Sequence, residues 1–133
     1  MQHEYFSIAA RWIFGLFYFA VGVWIVFSFF GLASAPQQPT PAAEAFMKAL
    51  GQSQFIDPLL ALTYLVGGGA LLVRRTTPLG IALLTPVVVV IFFFHIVLSG
   101  QWIWGTINLA WLMALAWHFR TAFNPLWSHP ASS

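Results

Sequence analysis

Four runs of almost uninterrupted apolar residues, 12–32, 55–73, 79–98 and 102–119, fix what this chain can become. A hydrocarbon core of about 30 Å is crossed by roughly 17–25 helical residues, and each run falls in or near that window. Lipid offers no partner to a stray backbone N–H or C=O, which leaves helices and closed barrels as spanning structures. A barrel would alternate apolar and polar residues over strands of about ten residues. These runs do not alternate, so helices are expected. Composition agrees: 60% of the 133 residues are hydrophobic and 6% are charged, against about 25% charged in soluble domains. Five Lys/Arg and three Asp/Glu cannot clothe a water-facing surface. The length predicts one domain, 1–133, without an added soluble module. A net charge of +2, scattered along the chain, gives no basis for nucleic-acid binding. With no cysteine, disulfides, thiolate metal sites, Fe–S clusters and thiol relays are excluded.

The first run closes on Ala33-Ser34-Ala35, an A-x-A pattern of the signal-peptidase kind. The apolar stretch is longer than a signal core, and Pro36 would follow the cut directly, so a retained helix is expected. The only substantial polar connection, 34–54, opens with the extended Pro36-Gln37-Gln38-Pro39. Thr40-Pro41 then reads as an N-cap with proline in the first turn. The segment 41–50 follows, with Glu44 and Lys48 in the favourable order for an ion pair and Phe46, Met47 and Leu50 on one apolar edge. Gly51 is expected to stop it. This reads as a short amphipathic helix on the membrane surface; a plain solvated connector is the alternative.

Short turns at 74–78 and 99–101 force antiparallel neighbours. The expected fold is all-α: an integral-membrane four-helix antiparallel bundle, with a short amphipathic helix between helices 1 and 2. Arg11, Arg74, Arg75 and Arg120 fall on the face that carries the termini, whereas the other face has Lys48 offset by Glu44 and Asp57. The positive-inside rule then puts both termini in the cytoplasm and the surface helix outside. Trp12, Trp102, Trp104, Trp117 and Trp127 gather near the expected interfaces, as belt residues do.

Polar groups inside a membrane are candidate functional groups, each with a structural alternative. Arg11, Gly15, Tyr18 and Gly22 share a face of the first helix; the glycines suit close helix packing, and Arg11 can snorkel to head groups. Asp57, Ala61, Tyr64 and Gly68 share a face of the second, beside the thin stretch Gly67-Gly68-Gly69. Something must approach that stretch closely, a helix or a flat ligand. Asp57 either favours the positive end of its helix or lines a site. In the third run Pro86 removes a backbone donor and is expected to kink the helix. Beyond it lies His95, flanked by Phe92, Phe93 and Phe94. Its imidazole can hold a metal, move a proton or hydrogen-bond a quinone, or merely bond a backbone carbonyl or Asn108. In the fourth run Gln101, Trp104, Asn108, Trp111, Leu115 and His118 form a stripe, and the Asn108 amide must find a partner. A bis-His haem within one subunit is disfavoured: His95 and His118 sit roughly 24 Å apart at about 1.5 Å per residue, and His3 and His129 are in the tails. No carboxylate pair, nucleophile–base set or phosphate loop is present.

Four features, in this order and spacing, resemble the DoxX family of small four-helix membrane proteins, in its DoxX-like branch. They are Arg11…Gly15-Leu16…Gly22, Pro41-Ala42-Ala43…Phe46…Leu50, Gly67-Gly68…Leu71-Leu72-Val73…Pro78-Leu79 and Pro86…Phe94-His95, within 8–127. The resemblance implies a bacterial inner-membrane protein; some members are subunits of thiosulfate:quinone oxidoreductase and others associate with redox or detoxification partners. Where the family often carries a glutamate on the glycine-rich helix this chain has Tyr64, and three residues after the second glycine of the first span, Gly22, where a lysine or other polar residue is often found, it has Ile25.

Two functions are carried forward. One is a non-catalytic membrane module that binds a hydrophobic ligand or a partner protein at its outer half, through His95, Asn108, Tyr64, Asp57 and Trp104. The other is the membrane subunit of a quinone-linked oxidoreductase, with His95 contacting the quinone and a soluble partner supplying electrons. Transport has little basis without inverted repeats or charged midplane residues. Exposed glycine faces are compatible with a homo-oligomer or with packing inside one bundle.

Overall fold

Why the chain is helical follows from its runs; where each helix stops follows from its caps. The computed structural model describes residues 2–34 and 36–126, with the backbone alone for His3. Ala35, Trp127 and His129, named above for the cleavage pattern, the belt and the tails, lie outside the described residues. Five α-helices account for most of the chain, and no strand occurs among the described residues: α1 (Gln2–Phe29), α2 (Pro41–Ser53), α3 (Ile56–Leu72), α4 (Thr77–Phe93) and α5 (Trp102–His118). A 3-10 turn, Arg74–Thr76, leads into α4; a π-helical segment, Phe94–Ser99, continues it; a 3-10 segment, Arg120–Leu126, follows α5.

Helix α1 starts well before the expected residue 12. Glu4 lies in its first turn, beside the positive helix end, and Ser7, Ala10 and Arg11 are buried. Packing therefore extends the helix past the point where hydropathy falls. It ends at Phe29 rather than 32, because Gly31 takes a left-handed φ of 76°. The Leu32 N–H then returns to the Phe27 carbonyl at 2.8 Å and the Gly31 N–H to that of Ser28 at 3.1 Å, the paired bonds of a Schellman cap.

Helix α2 begins where the sequence indicated. The Thr40 hydroxyl accepts from the Ala43 N–H at 3.1 Å, and Pro41 occupies the first turn. Three expectations need correcting. Gly51 does not stop the helix; α2 runs to Ser53 and ends on Gln54, whose positive φ of 64° lets its N–H close onto the Gly51 carbonyl. The Glu44 carboxylate is engaged by the Gln38 backbone N–H at 3.0 Å rather than by Lys48. Of the expected edge, Phe46 and Leu50 turn inward with buried Ala43, whereas Met47 is exposed. Helix α3 leaves α2 at 93°, so α2 lies across the end of the helices rather than along them. Ser53 makes that corner, donating to the Leu50 carbonyl and accepting from the Ile56 N–H.

Apart from α2, helices adjacent in the chain pack side by side, and the contacts of α1 with α3 and of α3 with α4 run antiparallel. Gly15 meets Gly68 and Leu72 while Gly22 meets Leu65; Gly67 meets Leu84 while Gly80 meets Leu71; Gly105 meets His95 and Phe92. Tyr18, Leu71, Leu84, Val88 and Leu112 form the innermost layer. Helix α4 runs through Pro86 unbroken to Phe93, and the change of winding comes later, at Phe94–Ser99. Two helical stretches, 4–29 and 74–99, are long and apolar enough to cross a bilayer.

The end of α3 shows how carbonyls without helical partners are satisfied in such a chain. The Thr76 hydroxyl donates to Ala70 O at 2.8 Å, and that of Thr77 reaches Val73 O at 2.9 Å. The Arg11 guanidinium donates to Leu71 O at 3.5 Å and to the Thr77 hydroxyl at 3.3 Å. Arg11 is thus turned into the protein, only 5% exposed, instead of snorkelling outward.

Candidate functional site

Three polar side chains meet at the middle of the helices. Tyr18, Tyr64 and Asn108 stand near the midpoints of α1, α3 and α5, and all three are buried. The Tyr18 hydroxyl donates to Asn108 Oδ1 at 2.7 Å, and Asn108 Nδ2 donates to the Trp104 carbonyl one turn earlier at 2.9 Å. Asn108 thereby finds the partner that its burial requires. Tyr18 sits there because it shares a face with Gly15 and Gly22, which hold α1 against α3. On its other side the Tyr18 ring stacks on Tyr64, with centroids 5.4 Å apart and planes 21° from parallel. Phe14 packs against Tyr18 at 4.5 Å, and Phe17 bridges Tyr18 to Trp104, edge-on to the latter at 5.7 Å.

Tyr64 differs from its neighbours. The residue is 6% exposed, and its hydroxyl has no hydrogen-bond partner among the described residues. Among those residues Ser28 Oγ is the side-chain atom both sealed from the exterior and unpaired, so the Tyr64 oxygen keeps some contact with the exterior. A buried phenol of this kind can give or take one hydrogen bond from an incoming molecule.

Toward the α2 end lies His95, half-buried in the π-helical segment. Its Nδ1 is 2.8 Å from the Ile91 carbonyl. A carbonyl oxygen can only accept, so Nδ1 carries the proton, and Nε2 of the neutral ring is an acceptor. Gly105 admits α5 against this segment: a Cβ there would stand 2.8 Å from the His95 Cβ. The Thr40 hydroxyl, besides capping α2, donates to the Leu98 carbonyl. Phe46 packs on Phe94 with ring centroids 5.5 Å apart. Helix α2 is thereby fastened over the π-helical segment.

The sequence singled out five contact residues, and the structure brings three of them into one network. Tyr64, Asn108 and Trp104 are joined through Tyr18 and Phe17. Trp104, 46% exposed, also lines a shallow hollow of about 310 Å³ with Gly100, Gln101, Trp102 and Ile107. His95 is attached to its own helix rather than to Asn108. Asp57 stands apart in the first turn of α3, roughly 10 Å along the helix from Tyr64 at about 1.5 Å per residue. Its carboxylate faces Gly51 of α2 instead. Tyr18 and Thr40 are what sequence reasoning missed: the one read as packing, the other only as a cap. No group of three or more His, Cys, Asp or Glu side chains able to hold a metal converges among the described residues.

The class this geometry defines is an all-helical chain with helices of membrane-spanning length and a buried tyrosine–asparagine centre. Comparison with family models, with characterised proteins and with solved structures yields no match. The comparisons therefore give the resemblance to the DoxX-like branch no support.

Proposed function

We propose that this chain is a DoxX-like integral membrane protein of the bacterial inner membrane, a four-helix antiparallel bundle with cytoplasmic termini. In this reading it is a non-catalytic module that binds a hydrophobic ligand or a partner protein at the outer half, beneath α2. The membrane part is supported by the two long apolar stretches and by the antiparallel order of α1, α3, α4 and α5. Helices α3 and α5 have 17 residues each, about 25 Å at 1.5 Å per residue, the lower edge of a span. Orientation is supported by Arg74, Arg75 and Arg120 at one end and α2 at the other. Because the chain has no cysteine, single cysteines test it cleanly. Gln38→Cys in intact cells is expected to react with a membrane-impermeant maleimide, and Arg75→Cys only after permeabilisation. The opposite pattern would overturn the orientation.

The observation that carries the binding role is the Tyr64 hydroxyl near the middle of α3, 6% exposed and without a hydrogen-bond partner among the described residues. Its oxygen keeps contact with the exterior, and a ligand with one hydrogen-bonding group can meet it from there. His95 Nε2 offers a second polar contact nearer α2. The tautomer also shapes the quinone-linked reading. An Nε2 that accepts suits the hydroxyl of a quinol better than the carbonyl of a quinone, which requires the imidazolium. The bundle would then serve as the membrane subunit, with electrons exchanged through a soluble redox partner. Binding is measured on the protein reconstituted with ubiquinol, menaquinol or their quinones. Saturable quinol binding that is lost in His95→Ala supports that reading, and absence of binding by the wild type sinks it. Loss in Tyr64→Phe with His95→Ala unaffected would assign the ligand to the Tyr64 hydroxyl instead.

A further inference from the structure

The helices are not sealed equally on all sides. Between α1 and α5, toward the arginine end, runs a groove of about 280 Å³ lined by Phe6, Ala10, Ile107, Ala110, Trp111 and Ala114. Its floor is apolar because the one polar group nearby is turned away: the Trp111 indole N–H donates to the Ala10 carbonyl at 3.2 Å. The groove stays open because its α5 wall is low. Ala110 and Ala114 lie one turn apart, both exposed. The next residue on that stripe is Trp117, 70% exposed. Above its ring, 4.5 Å from the centroid, stands the Arg120 guanidinium, which spends one N–H on the Trp117 carbonyl at 2.9 Å. Arginine has five donors in a fork that matches a phosphate, so most of that fork remains available at the end of the stripe.

We propose that this groove is a binding site for one anionic phospholipid of the cytoplasmic leaflet, with an acyl chain between α1 and α5 and the phosphate on Arg120. The proposal rests on the membrane reading above. Size and charge select the occupant. From Ile107 to Ala114 the groove runs roughly 10 Å at about 1.5 Å per residue, a third of a hydrocarbon core of about 30 Å and so within one leaflet. A helix about 10 Å across could enter the groove only with one ridge of its side chains. A second copy on a two-fold axis through the groove would also bring Arg120 toward its own mate, like charge against like. A lipid chain fits the volume, and a lipid phosphate answers the guanidinium.

The test uses the full chain in detergent micelles with dioleoylphosphatidylglycerol or dioleoylphosphatidylcholine added, and native mass spectrometry counts the lipid retained. One phosphatidylglycerol per chain is expected, held at least tenfold more tightly than phosphatidylcholine. Ala114→Phe, which fills the groove, is expected to lower retention at least tenfold, and Ala110→Leu to do the same should that variant fold poorly by circular dichroism. Arg120→Gln is expected to erase the preference between the two lipids. Equal retention of both lipids by the wild type, or undiminished retention in the filled variants, would overturn the site. A disulfide-linked dimer from Ala110→Cys would assign the groove to a second copy and overturn it as well. A carbonate wash of cell membranes separates the two levels. Release of the chain overturns the membrane reading itself, whereas a chain that stays bound without retaining lipid overturns this inference alone.

Discussion

Helix α1 is held on one side by backbone and on the other by rings. Against α3 the approach is so close that a Cβ on Gly68 would stand 2.7 Å from the Phe19 nitrogen and 2.8 Å from the Gly15 carbonyl oxygen. Against α5 the contacts are Phe17 on Trp104, Phe14 parallel to Trp111 at 6.5 Å, and the two long hydrogen-bonded reaches Tyr18–Asn108 and Trp111–Ala10. On the membrane reading proposed above, lipid tails are as apolar as leucine, so burial alone would not favour helix against helix. One seam answers with dispersion between closely packed backbones. The other answers with a few directional bonds, and leaves a gap between them. The first is unforgiving of volume and the second is sensitive to polarity.

That contrast can be broken from the glycine side first. Gly68→Leu is expected to cost more than about 3 kcal/mol, since backbone rather than a yielding side chain opposes it on α1; SDS titration of the purified protein in mixed micelles reads the loss. Arg11→Ala, which removes donors from Leu71 O and Thr77, is expected to cost about 2 kcal/mol in the same titration, the scale of a charged hydrogen bond. On the ring side the effects are smaller. Tyr18→Phe strips the Asn108 oxygen of its donor, and about 1 kcal/mol is expected. Adding Asn108→Leu to that variant is expected to recover part of the loss, and full additivity of the two changes would argue that the bond contributes nothing. Trp111→Phe keeps the ring packing and deletes one indole bond, with about 0.5 kcal/mol expected. The control is Gly69→Ala, where nothing lies within 4 Å of the added methyl. A gain between zero and about 1 kcal/mol from helix propensity is expected there, and a loss comparable to Gly68→Leu would contradict the assignment of the seam to Gly68.

Much of this arrangement is readable in the chain because it depends on small, local rules. Thr40-Pro41 marks the start of α2 by side-chain chemistry alone, and the shared face of Gly15 and Gly22 marks a close helix neighbour by periodicity. The carbonyl bond of His95 was one of the alternatives an imidazole on a helix leaves open. What stayed hidden depends on direction rather than spacing. Periodicity puts Arg11 at a helix end but cannot say whether its long stem turns out to head groups or in to the Leu71 carbonyl. It puts Tyr18 between two glycines without revealing that Asn108, on a helix far along the chain, stands opposite. Gly51 looked like a stop because glycine often is one, yet α2 gains by keeping Leu50 and Ser53 on its packed side, and Gln54 takes the left-handed turn. The π-helical winding of Phe94–Ser99 has no residue signature at all. It coincides with the packing against Gly105 and the bond between Thr40 and Leu98.

That winding can be viewed as an accommodated insertion. A π-turn carries hydrogen bonds from i to i+5 where the α-helix uses i to i+4, so the segment Phe94–Ser99 stores about one residue more than its length needs. Remove one, and ordinary α-winding would resume with the flanks close to their present rotation, because six residues of π-winding turn the chain about as far as five of α-winding. A single-codon deletion there would leave composition, hydropathy and span count almost untouched. It would alter only the local winding of the segment that presents the Leu98 carbonyl to Thr40. The contact that ties α2 to this part of the chain is thus made inside a segment whose winding absorbs one extra residue.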